Sequence, residues 1–401
     1  MDGDGGVVAE GSGVGRLVLP SLLVSRFTIG IPPLLVSLLL IEIGETFGQS
    51  VGAAGQILTV SSVVAFVGAL IMGFLSMRFN HKHLLLIGSA LLALTAIGCA
   101  VSPAFSLMMA FYALIGLGSA IATPMIFSIL GELYPISRRA SVTGIVMSGA
   151  SLAFLIGAPV ITYIMGFGSW RTAFLAFVFP VAALGTVLSY LGLPSIHPGE
   201  EASAEGRGVG EGFREILLNR SAVVCLLGTA LNEASWQAVV LYTISFFRQI
   251  FLVSAGFASI IIIGGALLYT VGSVVSGRII DRFGRKRSTV ATSLLAGAFT
   301  IIYHNVPGLW TTIVLAFVAC LFTGFRSSAN TSLTLEQVPA YRGTMMSAHT
   351  ASWYIGTALG AWLGGLMLLW YDYSALGIAL GGTGIAASLL FQLLVRDPTV
   401  E

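Results

Sequence analysis

The stretch from Gly277 to Lys286 reads GRIIDRFGRK, and an earlier stretch from Gly73 to Lys82 reads GFLSMRFNHK. The two stretches share a glycine, an Arg-Phe pair and a closing lysine, and they lie 204 positions apart. A second set of residues recurs at the same offset: Glu132, Pro135 and Arg138 return as Glu336, Pro339 and Arg342. Because two separate matches at one spacing are hard to obtain by chance, we interpret the chain as a tandem duplication whose halves run in the same sense.

The composition of the chain excludes a soluble globular domain. Of its 401 residues, 56% are hydrophobic and only 9% are charged, so lipid must be part of its solvent. Runs of about 20 apolar residues predict transmembrane helices. We count twelve such runs, six in each half: about 17–43, 51–75, 84–101, 104–130, 140–166, 173–192, 221–247, 255–276, 288–303, 309–333, 344–369 and 374–394. The sequence therefore predicts an all-α membrane protein with twelve transmembrane helices.

Polar segments divide the chain. The predicted N-terminal half covers residues 1–194, with a tail over 1–16, and the predicted C-terminal half covers 221–401. Residues 195–220, which mix Glu, Gly and Arg, are interpreted as a flexible cytoplasmic linker. If the N-terminus is cytoplasmic, fifteen of the nineteen Lys and Arg residues lie on the cytoplasmic side. Since these residues resist translocation, we expect both termini in the cytoplasm and a multi-pass protein of the plasma (inner) membrane.

The loop after the eighth predicted span carries a signature made of Gly277, Asp281, Arg282, Gly284, Arg285 and Lys286. Further matches are Gly116-x-Gly118 in the fourth span and Trp170-Arg171 at the start of the sixth. In this order and spacing, these motifs resemble those of the major facilitator superfamily, and the resemblance covers the whole chain. It implies two six-helix bundles that transport a small molecule by alternating access.

The fifth predicted span favours one direction of transport. Its segment from Ser151 to Pro159 is similar to one found in proton-coupled efflux permeases of the sugar and drug exporter group. The resemblance favours proton-coupled efflux of amphipathic, drug-like or sugar-like compounds. Gly157 and Pro159 could also serve helix packing alone. Proton symport or facilitated uptake of a small metabolite is the alternative, and a membrane solute sensor that does not transport is another.

The repeated loop also implies a latch. In the family, its aspartate is thought to cap a neighbouring helix and pair with an arginine, which holds the cytoplasmic sides of the two halves together. Asp281 keeps both abilities. Met77 stands where the first copy usually has the aspartate. The resemblance therefore implies a one-sided latch, and the alternative is that the basic loop residues only anchor the topology.

Glu233 is the leading candidate for a functional residue. It lies twelve residues into the seventh predicted span, about 18 Å deep and thus near the midplane. A carboxylate there costs at least about 2.5 kcal/mol, so it should face a cavity, find a partner or hold its proton. Thr229, Trp236 and Gln237 share its helix face, and Asn232 lies about 100° round. We predict a substrate-facing wall with a proton-carrying acid, and the alternative is a purely packing role.

Arg326 and His349 are predicted to line the inner half of the same cavity, each about 10 Å above the cytoplasmic end. Asn330 lies one turn below Arg326, and Trp353 lies one turn above His349. A direct contact between Glu233 and Arg326 would have to bridge a vertical distance of about 8 Å. Our hypothesis is that protonation of Glu233 releases a partner, with Arg326 as the candidate, and that substrate competes for the acid. The alternatives are a snorkelling Arg326 and a core histidine at position 349.

The N-terminal half offers few polar groups at depth. Tyr112, four residues before Gly116, stands where many proton-driven exporters carry an arginine, and we count it among the candidate site residues. The predicted cavity is therefore apolar on one side and charged on the other, which suits an amphipathic solute. Glu42 and Glu45 at the outer end of the first helix are interpreted as interfacial residues. The alternative is a gate in which they pair with Arg171 or Arg248.

The remaining motifs indicate packing. A small-x3-small ridge in the eleventh span predicts close helix contact: Gly356, Gly360 and Gly364. Three cysteines at unrelated spacings support neither a disulfide nor a metal site: Cys99, Cys225 and Cys320. Since the sequence carries no His/Glu metal set, Ser/His pair or phosphate loop, we expect no enzyme activity and no cofactor. The expected partners are a small-molecule substrate, protons and the lipid bilayer, with no nucleic acid, and we expect a monomer.

Overall fold

The computed structural model describes residues 13–76, 78–134, 136–195 and 210–397. The regular elements in these ranges are all helical, which confirms the predicted all-α class. Twelve long helices follow one another there: α1 Gly13–Phe47, α2 Gln56–Leu75, α3 His81–Val101, α4 Phe105–Leu133, α5 Ile136–Met165, α6 Trp170–Gly192, α7 Arg220–Ile250, α8 Ala255–Phe283, α9 Arg285–Asn305, α10 Leu309–Leu335, α11 Arg342–Trp370 and α12 Tyr373–Leu394. The tail 1–12, Met77, Pro135 and residues 196–209 and 398–401 lie outside the described residues.

Eleven of these helices are long and apolar enough to cross a membrane. The twelfth, α9, opens with three basic residues and is rich in hydroxyl side chains, which lowers its mean hydropathy. Its 21 residues nevertheless span about 31 Å, which matches the hydrocarbon thickness of a bilayer. It packs along both α10 and α12. The protein is therefore a multi-pass membrane protein with twelve helices in two bundles of six.

The packing of the helices reproduces the duplication seen in the sequence. In the first bundle, α1 packs on α5 and α6, α2 packs on α4, and α3 packs on α4 and α6. Six helices later the same pattern returns, since α7 packs on α11 and α12, α8 on α10, and α9 on α10 and α12. The two halves thus share one topology.

Polar contacts repeat at the same offset as the sequence motifs. His81 Nδ1 lies 3.0 Å from Glu132 Oε1, and 204 residues later Arg285 Nη2 lies 3.9 Å from Glu336 Oε1. Arg342 Nη2 also donates to Glu336 Oε2 at 2.7 Å. Each of these contacts joins helices or helix ends of one bundle. The repeated glutamates therefore brace the two bundles separately.

The repeated stretch is mostly helix rather than loop. Gly277, Asp281 and Arg282 belong to the last turns of α8, and α9 begins at Arg285. One residue, Gly284, makes the turn between them with φ of +81°, a conformation that favours glycine. The first copy turns differently, because Asn80 has a φ of −57° and its side chain accepts a bond from the backbone N–H of Lys82 at 2.9 Å.

The two bundles meet most closely at one end of the molecule. We call the end that carries Gly13 and Leu394 the terminal side, and the end that carries the turns after α1 and α7 the far side. Near the far side, Ser37 Oγ of α1 donates to the carbonyl of Val240 in α7 at 2.6 Å. Thr162 of α5 and Ser259 of α8 share a bond of 2.8 Å there. The far side is therefore closed by direct contacts between the bundles.

The predicted glycine ridge is a close helix contact. A Cβ at Gly356 would collide with the carbonyl oxygen of Ala230, and a Cβ at Gly360 would collide with that of Ala234. Backbones of α7 and α11 thus approach each other through these glycines, as the ridge predicts. This contact fixes the helix that carries Glu233 against the helix that carries Trp353.

The end of the predicted linker differs from expectation. Residues 210–218 form a short helix. Its Ile216 is 1% exposed and packs with Phe213 against Val338 and Met345 of the second bundle. Its two apolar side chains, three residues apart, share one face of the helix and pack on the second bundle.

Candidate functional site

Glu233 is presented from the middle of α7. The helix starts at Arg220, where the Asn219 side chain accepts bonds from the N–H groups of Ser221 and Ala222. Glu233 lies thirteen residues further on, about 20 Å from the start. Glu233 is 8% exposed. A carboxyl group at this depth needs a polar partner.

Arg326 of α10 supplies that partner. Its Nη2 atom lies 3.9 Å from Glu233 Oε1, and its Nη1 atom donates to the carbonyl and side-chain oxygens of Asn232 at 2.9 and 3.2 Å. The Asn232 amide in turn donates to Ser293 of α9 at 3.1 Å. Arg326 is only 2% exposed. One guanidinium therefore ties α10 to both adjacent residues at the middle of α7.

The vertical distance between Glu233 and Arg326 is smaller in the structure than the sequence predicted. Arg326 lies nine residues above the end of α10 at Leu335, about 14 Å, whereas Glu233 lies about 20 Å above the start of α7. An arginine side chain spans the remaining distance of about 6 Å. The contact is an ion pair rather than a hydrogen bond, because 3.9 Å exceeds hydrogen-bonding distance. Nη2 has no hydrogen-bond partner although it is buried.

Aromatic side chains surround the acid. The donor groups of Gln237 and Trp353 lie within reach of the Glu233 carboxyl group. Trp236 stacks on Tyr269 of α8, with ring centroids 5.2 Å apart and planes 13° apart. Tyr269 was not among the predicted site residues. The sequence feature that could have identified it is a tyrosine in the middle of an apolar span.

Asn330, another predicted site residue, pairs with Thr229. Its Nδ2 donates to Thr229 Oγ1 at 3.0 Å, one turn below the Arg326 contacts. Both residues are buried. This second bond between α7 and α10 holds in place the helix backbone that carries Glu233.

Two predicted site residues do not join this cluster. Tyr112 is fully buried beside Cys99 in the first bundle, and its hydroxyl has no hydrogen-bond partner. His349 lies lower on α11, and its buried Nε2 bonds to nothing. The sequence placed His349 and Arg326 at one depth, but Arg326 is turned toward Asn232 and Glu233.

Arg26 of α1 is a functional candidate that depth alone did not select. Its Nε atom is buried without a hydrogen-bond partner, and the titratable group that faces it is Tyr354 of α11. Tyr354 also reaches the hydroxyl of Thr123 in α4, and its ring lies 5.0 Å from that of Trp353. Arg26 therefore lies on the first bundle, across Trp353 and Tyr354 from Glu233.

The latch signature stays within the second bundle. Asp281 is exposed at the end of α8 and forms no ion pair in the described part of the chain. The backbone N–H of Lys286 donates to Asp397 at 3.1 Å, and Arg285 faces Glu336. A latch between the halves remains a prediction.

The far side carries an ion pair between the bundles. Glu42 Oε1 of α1 lies 2.8 Å from Arg248 Nη1 of α7. Arg171, the other predicted partner, instead donates to the carbonyl of Ser102 at 2.8 Å, within the first bundle. Of the two alternatives for Glu42, the structure therefore shows the second, an ion pair with Arg248 that joins the two bundles. A cavity of about 430 Å³ opens beside this pair, lined in part by Glu45 and Asp372.

Comparison with known proteins gives matches along both halves. The model of the Major Facilitator Superfamily matches residues 18–251 and 225–401. AraJ of Escherichia coli (strain K12) is 30% identical, with 94% of each chain covered. Among solved structures, a D-xylose-proton symporter has a TM-score of 0.77 at 16% identity, covering 95% of this chain and 98% of the other. A bacterial homolog of the human lysosomal transporter Spinster has a TM-score of 0.76 at 17% identity, covering 96% of each chain. At these identities the solved structures establish likeness of fold.

Proposed function

The chain belongs to the Major Facilitator Superfamily, and from this premise we propose that it exports a small amphipathic organic solute in exchange for protons. Members of this family are transporters rather than enzymes. Glu233 is the proposed proton-carrying group. The observation that carries the proposal is its ion pair with Arg326 at mid-depth, where a carboxyl group is costly without a function.

Protonation of Glu233 would release Arg326 from electrostatic attraction. Two unit charges 3.9 Å apart attract by about 4 kcal/mol at an effective dielectric constant of about 20, before the cost of desolvation. A change of this size is enough to shift a two-state equilibrium strongly. Because Arg326 also holds Asn232 and hence α9, its release would loosen the contacts among α7, α9 and α10. Protonation of Glu233 would then be coupled to movement of these three helices.

The proposed transport cycle uses the closed far side. We assign the terminal side to the cytoplasm, because fourteen of the eighteen basic residues in the described ranges lie at that end, and we place the protein in the plasma membrane. With the bundles joined at Ser37, Thr162 and Glu42, this conformation is the one that would load solute from the cytoplasm. Rocking of the bundles would break these contacts and open the opposite side.

The test is solute-evoked proton flux in liposomes. The purified protein is reconstituted with a trapped pH dye and challenged with organic acids, organic cations, sugars and amino acids under an imposed pH gradient. We expect one class to move protons, and Glu233→Gln to abolish that flux because the amide cannot carry a proton. Glu45→Gln, which removes a carboxylate at the far side, is the matched control and should retain the flux.

The same assay decides direction. Proton movement opposite to solute supports exchange, and movement with the solute replaces it with symport. Undiminished flux in Glu233→Gln would remove this residue as the proton carrier.

A further inference from the structure

We propose that Arg26 is a substrate-binding residue and that the solute is an organic monocarboxylate with an apolar body. The proposal deepens the proposed transport function, on which it rests, by naming the chemical class of the solute. It stands on the charge balance at mid-depth, on the unpartnered Nε of Arg26 and on the residues beside it.

The charge balance in the described spans leaves Arg26 without a counter-ion. Glu233 and Arg326 face each other and cancel. Arg26 lies nine residues into the span that starts at Leu17, about 14 Å along the helix. An arginine at this depth is costly unless it meets water or negative charge. A bound anion would remove this imbalance.

The side chain of Arg26 is held in position but incompletely bonded. Its Cβ lies against α5, where a Cβ added at Gly149 would be 3.2 Å away. Its Nε is buried with no hydrogen-bond partner, and the titratable group that faces it, Tyr354, is ordinarily neutral. The residue as a whole remains partly exposed. A buried donor without an acceptor is unfavourable, and a carboxylate satisfies two guanidinium donors at once.

The neighbours of Arg26 fit the rest of such a solute. Tyr354 of α11 lies near it and packs edge to face with Trp353, and Phe66 of α2 packs against the cluster that contains Tyr354. Trp353 and Phe66 are only partly buried, so apolar surface remains available. An apolar or aromatic body would lie on these rings while its carboxylate faces Arg26. A sugar would leave most of this surface unused.

Titration calorimetry on the full-length protein in lipid nanodiscs tests whether the site prefers an anionic ligand to a neutral or a cationic one. The probes are 3-phenylpropionate, its neutral amide and 3-phenylpropylamine, which share one skeleton and differ in charge. We expect the carboxylate to bind at least about ten-fold more tightly than either of the others. Tighter binding of the amine or equal binding of the amide would overturn the proposal, and so would absence of carboxylate binding up to millimolar concentration.

Variants assign the effect to Arg26. Arg26→Gln should weaken carboxylate binding about ten-fold or more and leave the amide unchanged, since only the anion uses the charge. Arg26→Lys should retain part of the affinity, and it keeps the test valid if the glutamine variant does not fold. Arg396→Gln removes an exposed arginine at the end of α12 and should match wild type. Unchanged carboxylate affinity in Arg26→Gln would overturn the assignment.

The calorimetric result is separate from proton coupling. If liposomes show no proton flux while binding depends on Arg26, coupling fails and the anion site stands. If protons move but the carboxylate does not bind, the transport proposal stands and the anion site fails.

Discussion

Removing the buried charge of Arg326 alone should destabilise the protein more than removing both charges of its ion pair with Glu233. In Arg326→Gln, Glu233 loses its counter-charge at 8% exposure, and breaking a buried pair in this way costs about 3–5 kcal/mol. We therefore expect a clear loss of thermal stability in detergent. Adding Glu233→Gln to that variant should restore part of it, since no charge is then left unpaired.

An exposed ion pair provides the control for this prediction. Arg342→Gln removes a partner of Glu336 at the surface, where Arg342 is 53% exposed, and should cost no more than about 1 kcal/mol. A double variant that unfolds as early as Arg326→Gln would show that the bonds to Asn232, rather than the ion pair, determine the stability.

At the residue scale, the sequence predicted the depth of a side chain in the bundle well and the neighbour that it faces poorly. Counting residues placed Glu233 near the middle of the bundle and Arg326 about 8 Å lower, and the two side chains meet. The same count put His349 level with Arg326, yet His349 has no partner at Nε2. Which neighbour a side chain faces depends on the rotation and tilt of each helix, and periodicity alone does not determine either. Arg26 falls within the first predicted span, 17–43, but for this reason no neighbour could be predicted for it.

At the element scale, the glycine ridge of α11 determines how closely α7 approaches. Gly360→Ala would place a methyl group onto the carbonyl oxygen of Ala234, a backbone atom next to Glu233, so one helix must move. We expect a lower unfolding temperature and weaker solute-evoked proton flux, because the shift separates Glu233 from Trp353.

Gly382→Ala on α12 is the matched change, since nothing lies within 4 Å of the added carbon and alanine favours the helix by about 1 kcal/mol. It should unfold at the same temperature as wild type or slightly higher. Equal behaviour of the two variants would contradict the role assigned to the ridge.

Helix ends were harder to predict than helices. The predicted eighth span stopped at 276, but α8 continues to Phe283, because charged residues at a helix end are tolerated where the helix leaves the lipid. The repeated signature therefore belongs to a helix end and a single glycine turn. For the same reason α9, with its basic first turn, was predicted shorter than it is.

At the scale of the whole molecule, the duplication predicted the architecture. An offset of 204 residues implied two equivalent bundles, and the helix contacts repeat in that way. The offset could not predict how the bundles lean on each other, because that depends on which side of the molecule is closed. The contacts at Ser37 and Thr162, which join the bundles at the far side, became visible only in three dimensions.

The Glu42 to Arg248 pair should bias the molecule toward closure of its far side. It joins α1 to α7 at 2.8 Å with both side chains partly exposed, so we assign it about 0.2–1 kcal/mol, or up to about five-fold in the open population. The measurement is labelling of Ser37→Cys by a membrane-impermeant maleimide, with the three native cysteines replaced by serine. Ser37 is 1% exposed between the bundles, so label enters only when the far side opens. Glu42→Gln should speed labelling up to about five-fold, and high salt should do the same to the parent protein. Arg171→Gln, whose arginine bonds within one bundle, should leave the rate unchanged. Equal rates in both variants would mean that packing between the bundles, without this ion pair, keeps the far side closed.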